Sequence, residues 1–239
     1  MKKLYEKDEI WFAVMWIVIY VLGFGNADQI SESIGMPKLI TVVVGIVIII
    51  ILTGFIKRNH LMEYYGLCSI KNASKSLLYF IPLFVISSVN FWNGLNVNSS
   101  VRDIVLYILS MCFVGYLEEV IFRGFLFKGM CKSNVKTAIL VSSLTFGVGH
   151  IVNLLLGEPV FDTMLQLIYA SAIGFVYTAI FYVSGSIWPC IISHAFVNST
   201  SIFAIEPTQR VNIIIAVIQT IISVGYGVWL CFIMQKKIH

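Results

Sequence analysis

Six side chains stand out because of where they lie. Glu118, Glu119 and Arg123 interrupt one long apolar run, His150 a second, and His194 with Asn198 a third, while the other apolar runs hold no ionisable group. A charge in mid-membrane costs at least about 2.5–3.5 kcal/mol on insertion scales, so such residues face a polar interior and serve function. Spacing sorts them. Glu119 and Arg123 are four apart and share a helical face, which predicts a structural ion pair. Glu118 is turned about 100° from Glu119 and is expected to point elsewhere. His194 and Asn198 share a face by the same rule, as do Phe146 and His150.

One carboxylate, two imidazoles and an amide suit peptide hydrolysis. A desolvated Glu118 can act as general base on water, while His150, His194 and Asn198 can stabilise the oxyanion of a tetrahedral intermediate. A second chemistry uses the same residues: Glu118, His150 and His194 could hold one divalent metal, zinc for example, that activates the water. The cofactor expectation is therefore none or one divalent metal, with a lean to none, because Asn198 is a poor zinc ligand and a good oxyanion donor. There is no HExxH. Ser193 beside His194 does not make a triad, since adjacent helical residues diverge.

The elements that must position these groups are membrane helices. Of the 239 residues 59% are hydrophobic and only 12% charged, and the mean hydropathy is +0.91. Soluble domains carry about 25% charged residues. Eight apolar runs are long enough to cross a bilayer: Ile10–Phe24, Leu39–Ile56, Leu77–Trp92, Ile104–Phe127, Thr137–Leu156, Thr163–Val183, Ile187–Ile205 and Val211–Met234. They lack the alternation of a barrel. The expected fold is an all-α polytopic integral membrane bundle of about eight transmembrane helices. It forms a single transmembrane domain over 1–239, with its motif-bearing core at about 104–205. Lys57–Ser76 is too polar to span and is expected at the interface.

Depth is compatible with one shared cavity. At about 1.5 Å per residue, Glu118 lies roughly 15 Å from Lys128, and His150 roughly 21 Å from Lys136. His194 and Asn198 lie roughly 10 and 16 Å from Ile187.

Orientation follows the basic residues. Lys2, Lys3, Lys7, Lys57, Arg58, Lys71, Lys75, Lys128, Lys132, Lys136, Lys236 and Lys237 fall on one side, against Lys38, Arg102 and Arg210 on the other. The positive-inside rule then puts both termini in the cytoplasm. Glu6, Asp8 and Glu9 near the N-terminus argue against a cleaved signal peptide. Scattered basic pairs without aromatic interleaving exclude a nucleic-acid partner. The five cysteines include no CxxC and read as small core hydrophobes. Ala170 and Gly174 form a small-xxx-small pair for close helix approach, and Ser184-Gly185-Ser186 forms a tight link between antiparallel helices.

The three interruptions resemble a known family. Glu118-Glu119-Val-Ile-Phe-Arg123 is similar to the EExxxR motif of the CAAX-protease and bacteriocin-processing (Abi) family, Phe146-Gly-Val-Gly-His150 to its FxxxH, and His194-Ala-Phe-Val-Asn198 to its HxxxN. The resemblance covers about Tyr107–Thr200. It implies an eight-helix fold, intramembrane endopeptidase activity, and catalytic roles for Glu118, His150, His194 and Asn198. The partners it implies are the lipid bilayer, a peptide or membrane-protein substrate, and a membrane sensor in regulatory members. Two other functions fit the residues. One is a catalytically dispensable scaffold or bacteriocin-immunity protein of the same fold. The other is a proton-coupled transporter carrying protons on Glu118, which the lack of an internal repeat disfavours. The lysine excess over arginine leans towards a bacterial plasma membrane.

Overall fold

A computed structural model describes residues 1–70 and 80–238. Among these every regular element is helical. Helix α1 (Lys2–Lys7) ends at Asp8, whose carboxylate accepts the Ile10 and Trp11 N–H groups at 2.8 and 3.0 Å and so starts α2 (Glu9–Ser33). A tight turn leads into α3 (Leu39–Arg58), pinned where Lys38 pairs with Asp28 at 2.8 Å. The short α4 (Ile81–Ser87) follows, then α5 (Val101–Cys131), α6 (Val135–Leu156), α7 (Val160–Ser184), α8 (Trp188–Thr200) and α9 (Gln209–Ile238).

Six of these, α2, α3, α5, α6, α7 and α9, are long and apolar enough to cross a membrane. The chain is a multi-pass membrane protein. Large apolar side chains such as Ile50, Phe84 and Ile221 are exposed on its outer face, as a lipid-facing surface requires. Helix α7 is the centre: 56% of its most apolar stretch is buried, against 28–39% in the other five. It packs on α6 and α9, while α8 lies along α5, and α2 contacts both α3 and the inner end of α5.

Two of the eight expected spans are not long helices. The run Ile187–Ile205 holds the 13-residue α8, about 20 Å long at 1.5 Å per residue and short of the roughly 30 Å hydrocarbon layer. The run Leu77–Trp92 holds the seven-residue α4 and a single 3-10 turn at Val89–Phe91. Lys71, Lys75 and the start of that run lie outside the described residues. Hydroxyls and an amide meet the last carbonyls of α8. Thr200 and Ser201 donate back to the Phe196 and Asn198 carbonyls, and Asn90 donates to the Val197 carbonyl. These side chains meet carbonyls where the α-helical ladder stops, one way in which irregular backbone is satisfied at membrane depth. Helix α8 still links opposite ends of the bundle: Ile187 N–H reaches Gly66, and Ala204 bridges to Leu95.

The helices also change type where the motifs lie. α5 passes from α to π at Val120–Phe127, directly after Glu119, and every residue of the π segment is buried. α6 tightens to 3-10 geometry from His150 to Leu156. A π segment inside an α-helix is uncommon and often marks a functional site. Here it turns a full set of bulky side chains inward. Phe125 meets Phe12 of α2 and Tyr65 at ring separations of 5.0 and 4.9 Å.

Candidate active site

α5 and α8 touch at backbone distance because of one residue. A Cβ on Gly115 would sit 2.7 Å from the Ala195 nitrogen and 2.9 Å from its Cα, so only glycine permits the approach. Glu118 and Glu119 lie one turn along α5, and His194 is the neighbour of Ala195 on α8. The close crossing sets the site.

Both carboxylates reach one imidazole. Glu119 Oε1 is 2.8 Å from His194 Nδ1, and Glu118 Oε2 is 3.7 Å from His194 Nε2. Glu118 and Glu119 do point in different directions, and what spacing does not show is that Glu119 also reaches His194. The two carboxylates diverge about the α5 axis, yet α8 lies between them and presents a ring with a nitrogen at each edge. Glu119 Oε1 also accepts from Arg123 Nη1 at 3.0 Å, both side chains having no exposure at all. Arg123 Nη2 donates to the Gly174 carbonyl of α7 at 3.2 Å, and its guanidinium stacks 4.1 Å from the Phe146 ring. Gly174, half of the small-xxx-small pair, leaves room for that: its missing Cβ would fall 3.2 Å from Arg123 Nη2.

Hydrogen bonding places one proton of His194. A carboxylate can only accept, so Nδ1 carries a proton towards Glu119, and Nε2 is the nitrogen that His194 turns towards Glu118. Glu118 differs from Glu119 in access, its side chain being 13% exposed. Its other oxygen, Oε1, accepts from the Tyr20 hydroxyl of α2 at 2.5 Å.

His150 joins the group through Phe146, whose ring stands edge-on to His150 and to His194 at 5.7 and 5.6 Å. His150 is within electrostatic reach of both Glu118 and His194. Asn198 is half-buried, one turn beyond His194 on α8. Neither the His150 ring nor the Asn198 amide makes a side-chain hydrogen bond among the described residues, so both keep free donors. Ser193 is committed elsewhere, to Ser87 of α4 at 2.7 Å and Tyr177 of α7 at 3.0 Å.

Glu118 Oε2 and His194 Nε2 are spaced as two ligands of one metal would be, and Glu119 behind Nδ1 is the usual outer partner of a ligating histidine. A catalytic zinc takes three protein ligands. Among the described residues no three of His, Cys, Asp and Glu are grouped to hold a metal. The donor set is incomplete.

Tyr20 is the functional-site neighbour that sequence reasoning missed. The signal was slight: it is the only hydroxyl between Ile10 and Phe24, and a buried tyrosine hydroxyl needs a partner.

With this geometry in place, comparison with known families is decisive for one segment. Residues 100–200 match the family described as type II CAAX prenyl endopeptidase Rce1-like. The motif-bearing segment is similar to that family. The match spans Glu118, Glu119, Arg123, His150, His194 and Asn198, and it agrees with the resemblance carried by the three motifs. The description of that family is of an endopeptidase. No curated protein matches the chain in sequence.

Proposed function

We propose that the chain is an intramembrane endopeptidase that hydrolyses peptide bonds with a water activated by Glu118. The observation that carries this is the facing pair Glu118 Oε2 and His194 Nε2, 3.7 Å apart with both side chains largely buried. A separation just beyond direct hydrogen bonding suits one water touching both. Glu118 Oε2 takes the proton as the water oxygen attacks the carbonyl carbon. The carboxylic acid then delivers that proton to the leaving nitrogen as the C–N bond breaks. Glu119 holds His194 in orientation. The free donors of Asn198 and His150 are the groups to meet the oxyanion. His194 Nε2, facing Glu118 Oε2, orients the water rather than meeting the oxyanion.

No step is routed through a metal, and activity of the purified protein should survive a chelator. Loss to chelator with recovery on adding zinc would reverse that choice. The basic end that carries Lys57, Arg58, Lys128, Lys132 and Lys136 faces the cytoplasm in this reading, in a bacterial plasma membrane. Cysteine labelling that finds Lys128–Lys136 external would overturn the orientation.

The deciding experiment is cleavage of a peptide panel by the purified protein in lipid, wild type against Glu118→Gln. The variant keeps shape and hydrogen bonding but loses the base, so cleavage should fall by about 10²-fold or more at near-normal levels of folded protein. Wild-type rate in Glu118→Gln would remove Glu118 as the base. A folded wild type that cleaves nothing would leave the scaffold or immunity reading of the same fold.

A further inference from the structure

Glu118 has two oxygens, and the motif-bearing segment accounts for only one of them. Oε2 faces His194. Oε1 is held by Tyr20, which lies in α2, 98 positions away and outside residues 100–200. The phenol is fixed for this task. Tyr20 is 8% exposed, its ring rests against Phe24 at 4.8 Å, and α2 is locked to the π segment of α5 by Phe12 on Phe125. A hydroxyl-to-carboxylate bond of this length is charge-assisted and among the stronger kinds.

We propose that Tyr20 is a positioning residue for the Glu118 base, so that α2 completes a site the motif-bearing segment leaves unfinished. By occupying Oε1, Tyr20 stops the carboxylate from rotating and leaves Oε2 as the oxygen that receives the proton from water. The role rests on the peptidase reading above. It does not require Tyr20 to touch substrate.

The test is Tyr20→Phe in the full-length protein in lipid, with rates expressed per folded molecule. Loss of alignment at a reacting group costs up to about 10²-fold, so kcat should fall by roughly 10–10²-fold with KM unchanged. In a Glu118→Gln background the same substitution should cost nothing further, because the two act as one unit. Tyr116→Phe is the control. It removes a hydroxyl of α5 bonded to Thr53 of α3 at 2.7 Å and should leave cleavage intact. A second measurement is independent of turnover: the carboxylate bands of Glu118, isolated as the wild-type minus Glu118→Gln infrared difference, should shift in Tyr20→Phe. A Tyr20→Phe protein with wild-type kcat, an unshifted band, or a loss explained wholly by less folded protein overturns the assignment while the peptidase reading stands. Failure of the wild type to cleave removes that reading and this assignment together.

Discussion

Two places in this molecule are assembled from the same chemical parts. At the rim where the start of α2, the end of α5 and the loop after α3 meet, Lys132 pairs with Glu9 at 2.8 Å, and the Tyr64 hydroxyl reaches the other Glu9 oxygen at 3.4 Å. Lys128 lies 5.1 Å above the Tyr64 ring. In the interior, Arg123 pairs with Glu119 at 3.0 Å, His194 shares the same oxygen, and aromatic rings flank the cation. An acid, a base and a phenol or arene are present in both. What differs is water. The Lys132 side chain is 59% exposed, whereas Glu119 and Arg123 have no exposure. An exposed pair exchanges hydration for a contact of nearly equal value and is worth about 0–1 kcal/mol. A buried pair cannot fall back on water, so losing one partner costs about 3–5 kcal/mol. The rim fastens helices; the interior both fastens helices and fixes the proton on His194.

That contrast can be broken at graded strength. Arg123→Ala should have the largest effect on folding, because it leaves Glu119 buried with only His194, frees the Gly174 carbonyl and opens space beside Phe146. A loss of about 3–5 kcal/mol should be visible as reduced folded protein in quantified membranes. A normal yield would show that the interior pair behaves like the rim pair.

Glu119→Gln sharpens the distinction between fastening and catalysis. It weakens the Arg123 contact and can hand His194 a donor instead of an acceptor, allowing the wrong tautomer. Cleavage per folded molecule should drop by about 10–100-fold, the range seen when an outer partner of a functional histidine is lost, and folded yield should fall as well. Full activity in the surviving molecules would mean that the tautomer of His194 is irrelevant.

Gly115→Ala acts without touching a charge. Its Cβ meets Ala195 backbone at 2.7 Å, and forced overpacking of this kind costs typically about 1–3 kcal/mol. Because the displaced residue adjoins His194, kcat should fall further than stability does; a cysteine crosslink between α5 and α8 that forms equally well in both proteins would contradict the displacement.

Lys132→Ala should matter least, by no more than about 1 kcal/mol, with unchanged cleavage. The rim also has an alkaline signature. Burial, and then the charge of Glu9, push the Tyr64 phenol up to about 12 from 10.0. The hydrogen bond to Glu9 raises Lys132 above 10.5. Both groups hold their protons more tightly folded than unfolded, so their contribution is complete below about 10 and is lost as pH rises towards about 12. Unfolding midpoints measured across that window should fall less steeply in Tyr64→Phe than in wild type. Identical curves would mean that Tyr64 is not felt at the rim.

What could be learned from the sequence alone was local. Glu118, Glu119, Arg123, His150 and His194 stand out against apolar neighbours because the cost of burying charge is paid residue by residue, and Asn198 follows from its four-residue spacing to His194. The Glu119–Arg123 contact is likewise a matter of four positions on one helix. Six of the apolar runs became long helices for the same reason. The run at 187–205 did not, because hydropathy counts apolar residues and is blind to Asn90, Thr200 and Ser201 binding the last carbonyls of α8; the described part of the run at 77–92 holds only the seven-residue α4 and a 3-10 turn. That Glu119 shares His194 with Glu118 was not legible, because angular separation about one axis says nothing about a second helix lying between the two directions. Only the tertiary structure decided that α8 lies there, through the bare backbone of Gly115. It alone brought Tyr20 across 98 positions to Glu118, since a neutral phenol in an apolar run carries no charge penalty and names no partner until the bundle has packed.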